Sequence, residues 1–223
     1  MEAKADTGVQ LAWGPKIDLS NVPDVFAPQQ VAPFTPPETG IDNLGITSTD
    51  TFMVPGYGEF TVDFEGYVRV VRSEPTADNW PEAEVYTNLI EMCMRGESAE
   101  VGPIIVTLNP ECLSTGQIRN LIKAEGSPAG PEEAKACRMA VGAQFHMPEL
   151  GKKLFNKEPI ELTIDDVKSI PPAGNPGEGR IYQVLPLFDV EDPEGRPAAY
   201  LTGLKFAMGS YKTAAQIQEI AVA

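Results

Sequence analysis

The sequence predicts an all-β protein, an antiparallel sandwich or barrel of six to seven strands with one or two short helices and an extended proline-rich N-terminal arm. Three observations carry that prediction: apolar residues that alternate with a period of two, turn signals between the alternating runs, and an abundance of helix-breaking residues. The 223-residue chain holds 21 Pro and 20 Gly, above the usual shares of about 5% and 7%. Proline fixes φ and removes a backbone donor, so it favours turns, edges and extended segments over helices.

Residues 1–50 read as the arm. Pro15, Pro23, Pro28, Pro33, Pro36 and Pro37 punctuate it, and Trp13, Ile17, Leu19, Val22, Val25, Phe26 and Phe34 recur between them with no sustained periodicity. A solvated linker is rich in Gly, Ser or charge. This one is apolar, and each large side chain gains about 1.5–3 kcal/mol on burial. Those seven residues are therefore the candidate partner-binding set, with a second copy of the chain or another protein as the expected partner.

Residues 51–223 read as a single β-rich domain. Phe60, Val62 and Phe64 alternate with Thr61, Asp63 and Glu65, and Val68 and Val70 continue the same face past Gly66, where a bulge or close contact is expected. Further strands are expected over 85–94, 104–108, 138–147 and 159–170. Residues 180–188 and 198–208 read as a hairpin around Asp192-Pro193-Glu194-Gly195, with proline at the second turn position. Ser114 followed by Gln117 resembles a capping box, and with Ile118, Leu121 and Ile122 it predicts a short helix over 114–125. Tyr211, Ala214, Ala215, Ile217 and Ile220 predict a closing helix over 211–221.

VPGYGEFTVDFEGYVRVV (54–71) and LFNKEPIELTIDDVKSIPPAGNPGEG (154–179) resemble an uncharacterised family of small β-rich bacterial proteins, seen largely in actinobacteria. The resemblance spans roughly Thr51 to Met208. It implies a β-rich domain and brings no activity, substrate or catalytic residue with it.

Charge and composition narrow the function. With 17 Lys and Arg against 32 Asp and Glu, the net charge is −15, which repels a polyphosphate backbone and argues against nucleic acid as a partner. No stretch approaches the roughly twenty apolar residues of a membrane span, and the start of the sequence lacks the basic and apolar regions of a signal peptide. The expected location is the cytoplasm. Cys93, Cys112 and Cys137 are odd in number and lack C-x-x-C spacing, so reduced thiols are expected, with a Cys112–Cys137 disulfide as the alternative.

Catalytic signals are sparse, and no catalytic residue is assigned. His146 is the sole histidine, which rules out a multi-histidine metal site and leaves one base for any Ser-His or Cys-His pair. No G-x-S-x-G accompanies it. The acidic run at 189–195 lacks the order of an EF-hand loop and reads as a solvated hairpin tip, and the Gly-rich run at 173–179 lacks the end of a phosphate loop. No metal and no cofactor are called for.

Two functions follow. The first is a non-catalytic assembly or binding protein that associates with itself or a partner through the arm. The second is a small β-barrel that binds a hydrophobic small molecule, with isomerase- or cyclase-like activity in reach, for which Tyr67, Tyr86, Glu91 and His146 are the polar candidates.

Overall fold

A computed structural model describes residues 8–10, 16–18, 40–76, 84–119, 122–123, 132–133, 136–165, 167, 176–179 and 184–211. Two short antiparallel pairs stand apart from the main sheet: β1 (Gly8–Gln10) with β2 (Lys16–Asp18), and β8 (Ile122–Lys123) with β9 (Glu132–Glu133). The other twelve strands form one sheet.

That sheet closes on itself. Four long strands, β3 (Gly40–Val54), β4 (Gly58–Arg72), β5 (Val85–Ser98) and β16 (Ala199–Tyr211), run side by side in the order β5-β4-β3-β16. Each of the remaining staves is a broken strand whose two pieces follow one another in the chain: β6 (Gly102–Leu108) then β7 (Ser114–Arg119), β10 (Ala136–Val141) then β11 (Ala143–Met147), β12 (Lys152–Asn156) then β13 (Ile160–Asp165), and β14 (Pro176–Gly179) then β15 (Leu185–Asp189). Every stave pairs antiparallel with its predecessor, and β16 returns to pair with β3 from Tyr200↔Met53 to Tyr211↔Leu44. The result is an eight-stave meander barrel. Closure leaves no free edge for these staves.

Side chains stitch the breaks. Gly142 separates β10 from β11; its N–H donates to Ser114 Oγ at 3.0 Å, and its carbonyl accepts from the Asn109 N–H at 2.9 Å. Asn156 Oδ1 accepts from the Ala143 N–H at 2.7 Å, while its Nδ2 donates to the Val141 carbonyl at 3.0 Å. These contacts replace ladder bonds that the kinks remove, as buried backbone groups require. On the long staves, register shifts fall between Arg69 and Val70 against β5 and between Leu201 and Gly203 in β16.

Alternation sets the inner face. In β3 the residues Asp42, Leu44, Ile46, Ser48, Asp50, Phe52 and Val54 are buried while Thr47, Thr49 and Met53 are exposed. In β4 Phe60, Val62, Phe64, Gly66, Val68, Val70 and Arg72 are buried on the matching side. At Gly66 the sheet coils tightly enough that a Cβ would fall 2.0 Å from the Cys93 carbonyl oxygen, so the expected close contact is present and admits no side chain. The β3–β4 turn places Gly56 at φ 90°, with the Tyr57 N–H donating to the Val54 carbonyl at 3.0 Å; Pro55-Gly56 thus supplies a type II turn.

Several expectations change. The all-β class holds, and the closed ring of pairings selects the barrel over the sandwich, with more strands than the six to seven expected. Among the described residues of 114–125 no helix forms: β7 covers Ser114–Arg119 and β8 Ile122–Lys123. The capping-box pattern misleads because Ser114 binds Gly142 on the neighbouring stave, and Ile118 points inward between the outward Gln117 and Arg119. Strand β3 begins at Gly40, inside the stretch expected as the arm. Tyr211 ends a strand, and residues 212–221 of the expected closing helix lie outside the described residues. The Asp192–Gly195 turn is present, with the Gly195 N–H donating to the Asp192 carbonyl at 3.1 Å.

Candidate functional site in the barrel lumen

The lumen has two halves. Toward the β3–β4 turn it is filled by Phe52, whose ring stacks on Phe60 at 5.9 Å and meets Phe64 and Phe145 edge-on at 6.3 and 5.5 Å. Val54, Ile104, Met147, Leu154, Leu187 and Leu201 complete this plug. Edge-on and offset rings are the favoured aromatic geometries, and a core of this kind packs at crystal-like density.

Above Phe52, the same staves carry polar side chains inward. Asp50 comes first, two residues from Phe52 in β3 and 3% exposed. Burial lifts its carboxyl to about 7, against a hydrogen bond from Ser48 that pulls the other way. Its Oδ1 has no hydrogen-bond partner among the described residues. A cavity of about 40 Å³ adjoins it, lined on its other sides by apolar residues that include Met92, Met94, Phe145, Leu204 and Phe206. Such a volume holds about one water molecule.

Farther up, Arg72 and Asp42 form a buried ion pair, each side chain 1% exposed. Arg72 Nε donates to Asp42 Oδ2, and Nη2 donates to Oδ1 at 3.2 Å. The two-pronged geometry offsets the desolvation of both charges. Thr87, Cys137, Met139 and Met208 line a smaller void of about 10 Å³ beside the pair. Asp42 and Asp50 are eight residues apart on one strand, about 27 Å at the usual rise.

Five of the seven methionines, Met92, Met94, Met139, Met147 and Met208, point into the lumen. Four belong to the polar half. Their unbranched, polarisable side chains re-pack around irregular contents more readily than branched ones.

The four residues singled out from the sequence lie on the outer face. Tyr67 and Glu91 meet there: the Tyr67 hydroxyl donates to Glu91 Oε1 and Arg69 Nη1 donates to Glu91 Oε2 at 2.9 Å. Burial works to raise the Glu91 carboxyl, but the two hydrogen bonds and the Arg69 charge together hold it below its ordinary value. Burial and the adjoining Glu91 carboxylate raise the Tyr67 hydroxyl. Both residues border an open hollow of about 730 Å³ between β5 and the β6–β7 connection. Tyr86 sits elsewhere, its hydroxyl 3.5 Å from Glu84 Oε2 and its ring against Val71. His146 is exposed on β11, opposite Ile105 and Lys153.

Trp13, Leu19, Val22, Val25, Phe26 and Phe34 lie outside the described residues, and Ile17 lies in β2. Cys93, Cys112 and Cys137 are free thiols, so the alternative Cys112–Cys137 disulfide is absent; burial pushes the Cys137 thiol up to about 12. Among the described residues no three His, Cys, Asp or Glu side chains gather as a metal site needs, and no helix is long and apolar enough to cross a membrane.

Fold and lumen together define a closed antiparallel meander barrel with a plugged end and a polar half. The sequence matches a family of unknown function (DUF6073) over residues 1–218, and the chain belongs to that family. It is similar to the solved structure of DynF from the dynemicin biosynthesis pathway of Micromonospora chersina: 60% identical, with 92% of this chain and 96% of that chain covered and a TM-score of 0.79. Among curated proteins nothing matches.

Proposed function

We propose that this protein binds a small, largely apolar molecule inside its barrel, above the phenylalanine plug. The observation that carries the reading is Asp50, a carboxyl group with an unpartnered oxygen set against a cavity in an apolar lumen. An unmet polar group in a core costs about 1–3 kcal/mol. A lumen that served stability alone would be filled as the lower half is. The likeness to DynF, a protein of a small-molecule biosynthesis pathway, supports the same reading.

The cavity of about 40 Å³ is far smaller than the roughly 300–1,000 Å³ of ordinary ligand sites. Binding therefore displaces lumen side chains, and Met92, Met94, Met139 and Met208 are the ones whose chemistry suits that task. Isomerase- or cyclase-like chemistry would require an acid or base at the ligand, and Asp50 is the titratable group at the cavity. The arm-mediated assembly expected from the sequence draws no support here, because most of its residues lie outside the described ones.

The test is a fluorescence titration with a neutral aminonaphthyl ketone, whose emission reports a dry environment. One probe should bind per chain, and Leu204→Trp, which fills the cavity wall, should weaken binding by about tenfold or more. Equal binding by wild type and Leu204→Trp would place the probe outside the lumen and defeat the reading.

A further inference from the structure

We propose that Asp50 is the polar anchor of the lumen, and that its carboxylic acid donates a hydrogen bond to a neutral acceptor, a carbonyl or ether oxygen, on an otherwise apolar ligand. The inference rests on the lumen reading above and names the ligand chemistry that reading leaves open.

Three observations lead to it. First, Ser48 engages the carboxyl group while Oδ1 remains without a partner among the described residues, so a hydrogen-bonding position is left over. Second, that position adjoins a cavity whose walls come from β3, β5, β6, β10, β11, β13 and β16, and Asp50 is the one titratable or charged side chain among them. Its cross-strand partners, Val62 and Leu204, are apolar too. Third, the nearest lumen cation by sequence, Arg72, already holds Asp42 with two hydrogen bonds.

Chemistry then selects the ligand class. A carboxylate here would be a buried charge with no counter-ion, so burial favours the protonated acid up to about pH 7. The acid has one O–H donor, which an acceptor must meet. An ammonium ligand fits less well, because its other N–H groups would face methionine, leucine and phenylalanine. A ligand carboxylate would bring a second uncompensated charge into the same walls.

The experiment uses the full chain and three related probes: the aminonaphthyl ketone, the same naphthalene with propyl in place of propionyl, and an aminopropyl version that carries a cation. Affinities are compared for wild type, Asp50→Asn and Asp50→Leu at about pH 5.5 and about pH 8.5, on either side of the Asp50 titration. At the lower pH wild type should prefer the ketone over the propyl compound by about tenfold. Asp50→Asn keeps an N–H donor and should keep that preference at both pH values. Asp50→Leu should lose it, and wild type should lose most of it at the higher pH.

An unchanged preference in Asp50→Leu, with both neutral probes bound, overturns the anchor and leaves the lumen reading intact. Tightest binding of the cationic probe at the higher pH also overturns it, since Asp50 would then act as a counter-ion. Failure of every probe to bind any form removes the lumen reading and the anchor with it.

Discussion

Below Asp50 the barrel axis is occupied by four phenylalanine rings, whereas from Asp50 upward strands β3, β4 and β5 direct Asp42, Ser48, Asp50, Arg72 and Thr87 inward. β3 and β4 run through both halves in unbroken register, from Gly40↔Arg72 to Val54↔Gly58, while four of the other staves are broken strands. Along these two strands the difference therefore lies in the side chains. One half spends its interior on dispersion and area removed from water; the other keeps buried polar groups that are costly unless satisfied. A fold that needed only a core could repeat the lower half along its whole length.

The sharpest way to break the comparison is to empty the plug. Phe52→Ala should cost about 3–5 kcal/mol in urea unfolding, because it removes a ring in contact with three others. A loss below about 1 kcal/mol would mean that the lower half does not act as the structural anchor.

A comparable but somewhat smaller effect is expected from pH in the upper half. The Asp50 carboxyl is raised from 3.8 to about 7 on folding. Between those values the folded chain holds a proton that the unfolded chain has released, so stability is greatest below the lower value and falls as pH rises through the upper one. The full difference is at most about 4 kcal/mol. Glu91 and Asp189, whose carboxyls are held below their ordinary values, act in the opposite direction at more acid pH, outside that window. Thermal unfolding from about pH 5 to about pH 8 should show a falling Tm in wild type and a flatter profile in Asp50→Asn. A slope that survives in Asp50→Asn would assign it to other groups.

How far the sequence discloses each half follows from the same contrast. The lower half is legible because its inward positions are apolar: Phe60, Val62 and Phe64 announce a strand by alternation. Strand β3 is masked because three of its seven inward positions, Asp42, Ser48 and Asp50, are polar, so the period of two dissolves and the stretch merges with the proline-rich segment before it. The signal that was available is that Leu44, Ile46, Phe52 and Val54 share one parity with those three. Polar residues on an apolar face mark a lumen site, yet sequence alone reads them as the end of the pattern.

Tyr67 and Glu91 are two of the four polar candidates that the sequence offers for a pocket, and they meet on the outer face. Tyr67 shares the outward parity of Thr61, Asp63 and Glu65 on β4, whereas the sense of Glu91 depends on the register shift near Ile90, where β5 places Glu91 opposite Arg69 and Leu89 opposite Val70. A bulge of this kind reverses the parity of everything beyond it, and neither residue type announces it. Ser114 shows the converse: a helix-capping pattern served a contact 28 residues away, with Gly142.

Methionine methyl NMR tests the central claim most directly, because these probes divide between the two halves. With methyl-labelled protein and the neutral aminonaphthyl ketone, the resonances of Met92, Met94, Met139 and Met208 should shift together on saturation, while Met147 in the plug and the exposed Met53 on the outer face stay in place. Shifts confined to Met53, or no shift in the four upper methionines at saturation, would contradict a binding site in the polar half of the barrel.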